Sequence, residues 1–416
     1  MRQRRCTALL LVLLAISACS PAPSSQPTSN PATGIPPTAT TRAMPTWTAL
    51  SPSATQTTAP GLERTLPTLD LSGVIGTPQA VPTISRDIAL PTPVMPAGSR
   101  ALEGDFEPIT ADNLRQLVLL AEIRSDDGIN SNLVFSPDDR WLVAGSSTGV
   151  IHVWDASTGE EAFRLEEHTS RVKSIVFSPD GRLMASGSWD KTVILWDTAT
   201  WTPLRTLLGH EHYVGRVAFS PDGSLLASGG IPLIVWDVAT GEQLYTLNAS
   251  GLIPEDLEFS PDGSLLASAH GENDFFIWRT ADGGLEHTLV GDTTTSYLAF
   301  SSEGMLAASS SSFSAGVMNP RAPILFWDPW SGTRLGGTQE TAAVMDLLFS
   351  ADSSLLITCG YAGRDILFWQ TTNGLRIWGL TGHPRSAYAL ALNSDGTLLA
   401  SGDLDGRILL WAVQGE

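Results

Sequence analysis

The stretch Val217–Gly230, VAFSPDGSLLASGG, recurs closely as IVFSPDGRLMASGS from Ile175 and as LEFSPDGSLLASAH from Leu257. Looser copies are LVFSPDDRWLVAGS from Leu133 and LALNSDGTLLASGD from Leu390. An alternating segment such as GRVAFS runs into Ser-Pro-Asp-Gly, where Pro fixes φ and Gly tolerates left-handed geometry. Each copy therefore reads as two short strands joined by a tight turn.

Working outward, the apolar residue before each turn gives Phe135, Phe177, Phe219, Phe259, Phe300, Phe349 and Leu392. A tryptophan closes each repeat, at Trp154, Trp196, Trp236, Trp278, Trp327, Trp369 and Trp411. Both series have seven members, and most spacings fall between 40 and 43 residues. Between Phe300 and Trp327, the segment SSSFSAGVMNPRAP adds about eight residues. The runs TVILWD and PLIVWD are nearly continuously apolar, the pattern of strands covered on both faces. A turn such as DVATGE leads to a more polar fourth strand, QLYTL, suited to an exposed edge. No useful helical period interrupts the series.

Four strands per unit of about 42 residues, ending in Trp-Asp, resemble the WD-repeat β-propeller. The resemblance covers about Asn113 to Glu416. Trp-Asp is intact at Trp154-Asp155, Trp196-Asp197, Trp236-Asp237 and Trp327-Asp328, and decays to Trp278-Arg279, Trp369-Gln370 and Trp411-Ala412. The family's Gly-His pair stands at Gly209-His210 and Gly382-His383, with Glu167-His168 as a variant. The resemblance implies that such a histidine joins a hydrogen-bonded tetrad with a Ser or Thr, a loop Asp and the Trp. Position by position it implies His168, Ser186, Asp190 and Trp196 in one tetrad, and His383, Ser401, Asp405 and Trp411 in another. Repeat three keeps His210, Ser228 and Trp236 without the loop Asp, and repeats one, four, five and six lack the histidine.

The expected fold is all-β: a seven-bladed propeller with four-stranded antiparallel blades. After Trp411 the chain leaves the last unit without its fourth strand. Upstream, NLRQLVLLAEI ends at Ile123, twelve residues before Phe135, as Leu165 stands before Phe177 and Leu207 before Phe219. An N-terminal strand is thus expected to complete the last blade and protect edges that would otherwise seed aggregation. Repetition follows from packing, since one unit cannot bury its faces and a ring of seven can.

The N-terminal region reads differently. Residues 1–18 combine Arg2, Arg4 and Arg5 with a short apolar run from Ala8 to Ile16, which reads as a signal peptide. Ile16-Ser17-Ala18-Cys19 resembles the lipobox of bacterial lipoproteins, which implies a lipid on Cys19 and an extracytoplasmic, membrane-anchored chain. Residues 19–98, rich in Pro, Ser, Thr and Ala, cannot offset the entropy of ordering and read as a disordered tether. Residues 99–416 form the propeller. Cys359, in the apolar stretch LLITCG, reads as a small buried hydrophobe.

Formal net charge is −19, and losing the three signal arginines leaves −22, carried by the propeller because the tether is balanced. An acidic body repels phosphate backbones, so no nucleic-acid partner is expected. No metal or cofactor is expected either. The sequence contains no HExxH, CxxC, phosphate-cradling glycine loop or GxSxG elbow. His210-Glu211-His212 lacks a third ligand at recognisable spacing. SDDGINSN (Ser125 to Asn132) lacks the twelve-position calcium pattern and suits a polar loop. Aromatic and Arg residues at the rim bearing the Gly-His loops are the candidate partner-binding residues: Trp189, His212, Tyr213, Phe313, Arg321 and Tyr361, with Met318 beside them. The function expected is a non-catalytic scaffold for a protein or peptide, on a monomeric propeller. The alternative is an exported enzyme or small-ligand receptor with its site at the channel mouth.

Overall fold

A computed structural model of the chain describes residues 105–129, 131–248, 251–271, 274–291, 295–310, 313–314, 317–318, 323–338, 343–360 and 365–415. Cys19, the signal and tether segments, Arg321 and Tyr361 lie outside these residues. For 310, 313–314 and 317–318 only the backbone is described.

The quoted stretch forms the first two strands of blade 3, Arg216–Phe219 and Leu225–Gly229, followed by Leu233–Asp237 and Gln243–Leu247. Its turn is held by Ser220, whose Oγ donates to Asp222 Oδ1 (2.6 Å) and accepts from the Leu225 N–H (2.9 Å). Gly223 takes φ +72°, and its equivalents Gly181, Gly263, Gly304 and Gly396 are also left-handed. In blades 1 and 6 that position is filled by Asp139 and Ser353, both at φ +58°. Their side chains reach a neighbouring turn: Asp139 accepts from Ser394 N–H and Oγ–H, and Ser353 meets Ser302.

The other blades repeat this order. Their first strands are Leu133–Phe135 (blade 1), Val172–Phe177 (blade 2), Asp256–Phe259 (blade 4), Thr295–Phe300 (blade 5), Val344–Phe349 (blade 6) and Ala387–Leu392 (blade 7). Each first strand touches those of the blades on either side, and blade 7 touches blade 1. The seven first strands therefore surround the axis. We call the face bearing the loops before these strands the upper face, and the face bearing the Ser-Pro-Asp-Gly turns the lower.

Closure follows the expected route. Leu117–Arg124 pairs antiparallel with Arg407–Gln414 as the fourth strand of blade 7, from Leu117↔Val413 to Arg124↔Arg407. A second contact was not expected. Phe106–Glu107 pairs with the end of the same strand, and Ile109 N–H donates to the Gly396 carbonyl (2.8 Å). Ile109 and Leu114 are buried in the seam of blades 6 and 7, so residues 105–116 strap the lower face of blade 7. No α-helix occurs among the described residues.

The core is not central. It is divided into seven clusters, one in each seam. Val143, Ile151 and Val153 of blade 1 pack on Val172, Ile175 and Met184 of blade 2, and Ala121, Ile123 and Leu133 join Ala389 and Leu410 where the ring closes. Trp201 and Trp330 fold into seams as wedges. Trp201 lies 5.8 Å from Trp141 and 5.5 Å from Phe163, and Trp330 N–H groups bond Asp328 and Ser264. Cys359 is buried, and burial pushes its thiol well up.

Candidate functional site

The histidines are the obvious chemical groups, and most are structural. Trp196 Nε1–H donates to Ser186 Oγ (2.8 Å), Ser186 donates to His168 Nε2 (2.8 Å), and His168 Nδ1–H donates to Asp190 Oδ2 (2.8 Å). Burial works against the Asp190 charge, but hydrogen bonds from His168 and Thr192 hold its carboxyl well below the ordinary range. In blade 7, Trp411 and His383 meet at Ser401 as expected, but the carboxylate is Asp403 (3.1 Å), not Asp405. Asp403 ends the second strand, is fully buried and caps the Asp405 and Arg407 N–H groups. Asp405 stands at the loop tip, where it pairs with Arg385 (3.0 Å). In blade 7 the carboxylate stands at the end of its serine's own strand, whereas in blade 2 Asp190 reaches His168 from the loop beyond the strand.

Repeats without the expected residues improvise. His210 Nδ1–H donates to the Pro232 carbonyl (2.9 Å) in place of a carboxylate, and burial pushes its pKa down to about 4. In blade 4, His270 directly follows the second strand, Leu265–Ala269, and bonds Ser268, which accepts from Trp278. The signal was Ser268-Ala269-His270, with both polar residues on one strand face. In blade 6 Thr358 accepts from Trp369 (3.0 Å), whereas the buried Trp327 Nε1 of blade 5 has no partner among the described residues. His152 stacks on Trp154 and bonds Glu161. His210 and His212 diverge, the first buried and the second exposed.

The upper rim presents an aromatic pair. Trp189 follows strand Leu183–Ser188, and its N–H donates to the Arg171 carbonyl (2.9 Å). Val214 N–H donates to the Ser188 carbonyl, which fixes Tyr213 beside it. The guanidinium carbon of Arg171 lies 4.4 Å from the Trp189 ring centre, and the Tyr213 ring lies at 5.3 Å. Trp189 remains 43% exposed and Tyr213 36%, so the cation and the second ring brace the indole without covering it. Burial and then the Glu255 charge push the Tyr213 hydroxyl up. Leu208, Leu252 and Leu404, in upper-face loops, are also exposed. Phe313 lies on a short hairpin, Phe313–Ser314 with Val317–Met318, in the blade 5 insertion. The structure brings Trp189, Tyr213 and His212 into one region at the seam of blades 2 and 3.

A second constellation was missed by sequence reasoning. Three residues before each anchor stand Asn132, Ser174, Arg216, Asp256, Tyr297, Asp346 and Ala389, at the upper end of the first strands. Most of them staple one blade to the next. Ile175 N–H donates to Asn132 Oδ1 (2.9 Å), Val217 N–H to Ser174 Oγ (3.1 Å), Leu298 N–H to Asp256 Oδ2 (2.9 Å) and Leu390 N–H to Asp346 Oδ2 (2.8 Å). Arg216 Nε donates to the Glu255 carbonyl (3.0 Å) and forms an ion pair with Asp256 Oδ1 at 3.0 Å. Bulges beside this ring present Lys173 and Tyr388, whose ammonium and hydroxyl groups meet across blade 1. Burial pushes the Asp346 carboxyl up to about 6 against the pull of Arg216. Burial also raises Asp256 and, with the Asp256 charge added, raises Glu258 well above the ordinary value. The available signal was a polar residue recurring at one position of an apolar strand.

Four segments of the chain, residues 119–155, 159–197, 201–231 and 374–412, match the family model described as WD domain, G-beta repeat. Among curated proteins, the chain is similar to WD repeat and SOCS box-containing protein 1 of Takifugu rubripes, 32% identical over 23% of this chain and 22% of that protein. It is also similar to Intraflagellar transport protein 122 homolog of Danio rerio (38% identical, 18% of this chain and 6% of that one). Protein FIZZY-RELATED 2 of Arabidopsis thaliana is 30% identical over 22% of this chain and 19% of that one. The matches span less than a quarter of each relative's length. With the seven-bladed ring, they support the WD-repeat propeller family.

Proposed function

We propose, taking a WD-repeat propeller as the premise, that this chain is a membrane-tethered, extracytoplasmic scaffold that binds a protein or peptide on its upper rim and catalyses nothing. The observation that carries this reading is Trp189, braced between Arg171 and Tyr213 yet open to solvent. A rigid aromatic costs little entropy to bury and is the residue type on which interfaces concentrate energy. The matched relatives are named for intraflagellar transport or for a SOCS box and not for a reaction, which agrees with a binding role. Capture of envelope proteins on the purified full-length chain tests the reading. Trp189→Ala and Tyr213→Ala should each remove a captured protein at unchanged melting temperature, and retention by both variants would refute rim binding.

Tethering rests on the signal-like first 18 residues, the lipobox-like Ile16–Cys19 and the Pro-stiffened segment after them. Cys19→Ala should move the protein from the membrane pellet to the soluble fraction. Continued pelleting with full processing would exclude lipid anchoring.

A second reading, a small-ligand receptor at the channel mouth, is favoured by one observation. Titratable side chains from six blades converge on the upper end of the axis, where burial already shifts several of them.

A further inference from the structure

Charge at the upper channel mouth is segregated. Lys173 and Arg216 lie on the adjacent blades 2 and 3, Asp256 on blade 4 and Asp346 on blade 6, with Tyr297 and Tyr388 on blades 5 and 7. Arg216 and Asp256 pair with each other. Among the described residues neither Lys173 nor Asp346 forms a salt bridge, although Asp346 lies in the field of Arg216 and Asp256 in that of Lys173. Among the described residues, the Lys173 ammonium meets only the neutral Tyr388 hydroxyl and ring, and the Asp346 oxygens accept only the Leu347 and Leu390 N–H groups. The terminal nitrogens of Arg216 likewise have no hydrogen-bond acceptor, its guanidinium carbon lying 5.6 Å from the Tyr297 ring centre.

Thus a cation and a carboxylate, neither held in a salt bridge among the described residues, face the same axis from opposite sides of the ring. Holding a carboxylate away from bulk water without a direct ionic partner costs stability. A dipolar ligand supplies both missing partners at once. We propose that the upper channel mouth binds a small zwitterion, the class of free amino acids and short unblocked peptides. Its carboxylate is taken by Lys173 and the outer nitrogens of Arg216, its ammonium by Asp346, and Tyr297 and Tyr388 flank it. The proposal rests on the second reading above. Burial raises the Asp346 carboxyl against the pull of Arg216, in keeping with a carboxylate that has no salt bridge.

Calorimetric titration of the full-length chain tests this, with the standard free L-amino acids, alanyl-alanine, their amide and N-acetyl derivatives, and neutral sugars as probes. At least one free amino acid or the dipeptide should bind, and blocking either end should weaken it about tenfold or more, the loss of one charge-assisted contact. Lys173→Met and Asp346→Asn should each weaken that ligand similarly while the melting temperature is retained. Equal affinity for the blocked derivatives, or binding that survives both substitutions, would overturn the proposal. Binding of a sugar or a singly charged derivative alone would overturn it and leave the small-ligand reading standing, and silence across all probes would end both. If a variant does not fold, the comparison of free and blocked ligands on the unaltered chain decides.

Discussion

Two aspartates separated by one residue have opposite fates. Asp403 is fully buried against His383, and Asp405 is exposed beside Arg385. Removing one member of a buried, hydrogen-bonded pair leaves the other unsatisfied, so Asp403→Ala should cost about 3 kcal/mol or more. Asp405→Ala should change stability by less than about 0.5 kcal/mol, as surface substitutions do. Denaturant melts of the two variants check this, and equal losses would restore the longer-spaced assignment. Ser186, Asp190 and Trp196 could be placed by spacing because in blade 2 the loop carboxylate sits where the family resemblance puts it. In blade 7 a carboxylate at the strand end reached the histidine first, and spacing carries no information about which of two carboxylates is nearer.

At the scale of elements, strands and turns were legible because each carries its own local chemistry: alternating apolarity, Ser-Pro-Asp-Gly and Trp-Asp. The closing strand was legible too, since Ile123 stands as far before its anchor as the fourth-strand leucines do. The strap at residues 105–116 was not, because a two-residue strand and a single 3-10 turn (Leu114–Gln116) carry no period to detect. Deleting residues through Ile123 removes the strap and most of the closing strand together. It exposes the seams holding Ile109, Leu114, Ala121 and Ile123, at about 1.5–3 kcal/mol for each large side chain. The melting temperature should fall by roughly 10 °C or more. An unchanged melt would refute closure as a source of stability.

For the whole molecule, the distinctive quantity is charge held around the axis. Asp346 faces Arg216 and Asp256 across the channel, the Cys359 thiol on the neighbouring strand, and Tyr297. Its folded value of about 6 lies above the ordinary carboxylate value. Its contribution to stability is therefore complete at acid pH and is lost as pH rises through about 6. His210, pushed down to about 4 by burial, acts with the opposite sign over an overlapping range, so the parent curve alone does not separate them. The difference between Asp346→Asn and the parent does. It should move in the variant's favour by a few degrees between about pH 5 and about pH 7.5. A difference independent of pH would show that Asp346 keeps its ordinary titration.

The sequence alone determined the number of blades, their strand order and the way the ring closes, because these follow from local periodicity repeated seven times. Only the tertiary structure decided which polar side chains meet. Lys173 and Tyr388 are 215 residues apart, and their encounter depends on strands from seven blades converging on one axis. Trp201, Trp330 and Trp189 are all loop tryptophans in the sequence. Packing alone sent the first two into seams and left the third on the rim, since whether a loop side chain is buried depends on what the next blade places beside it.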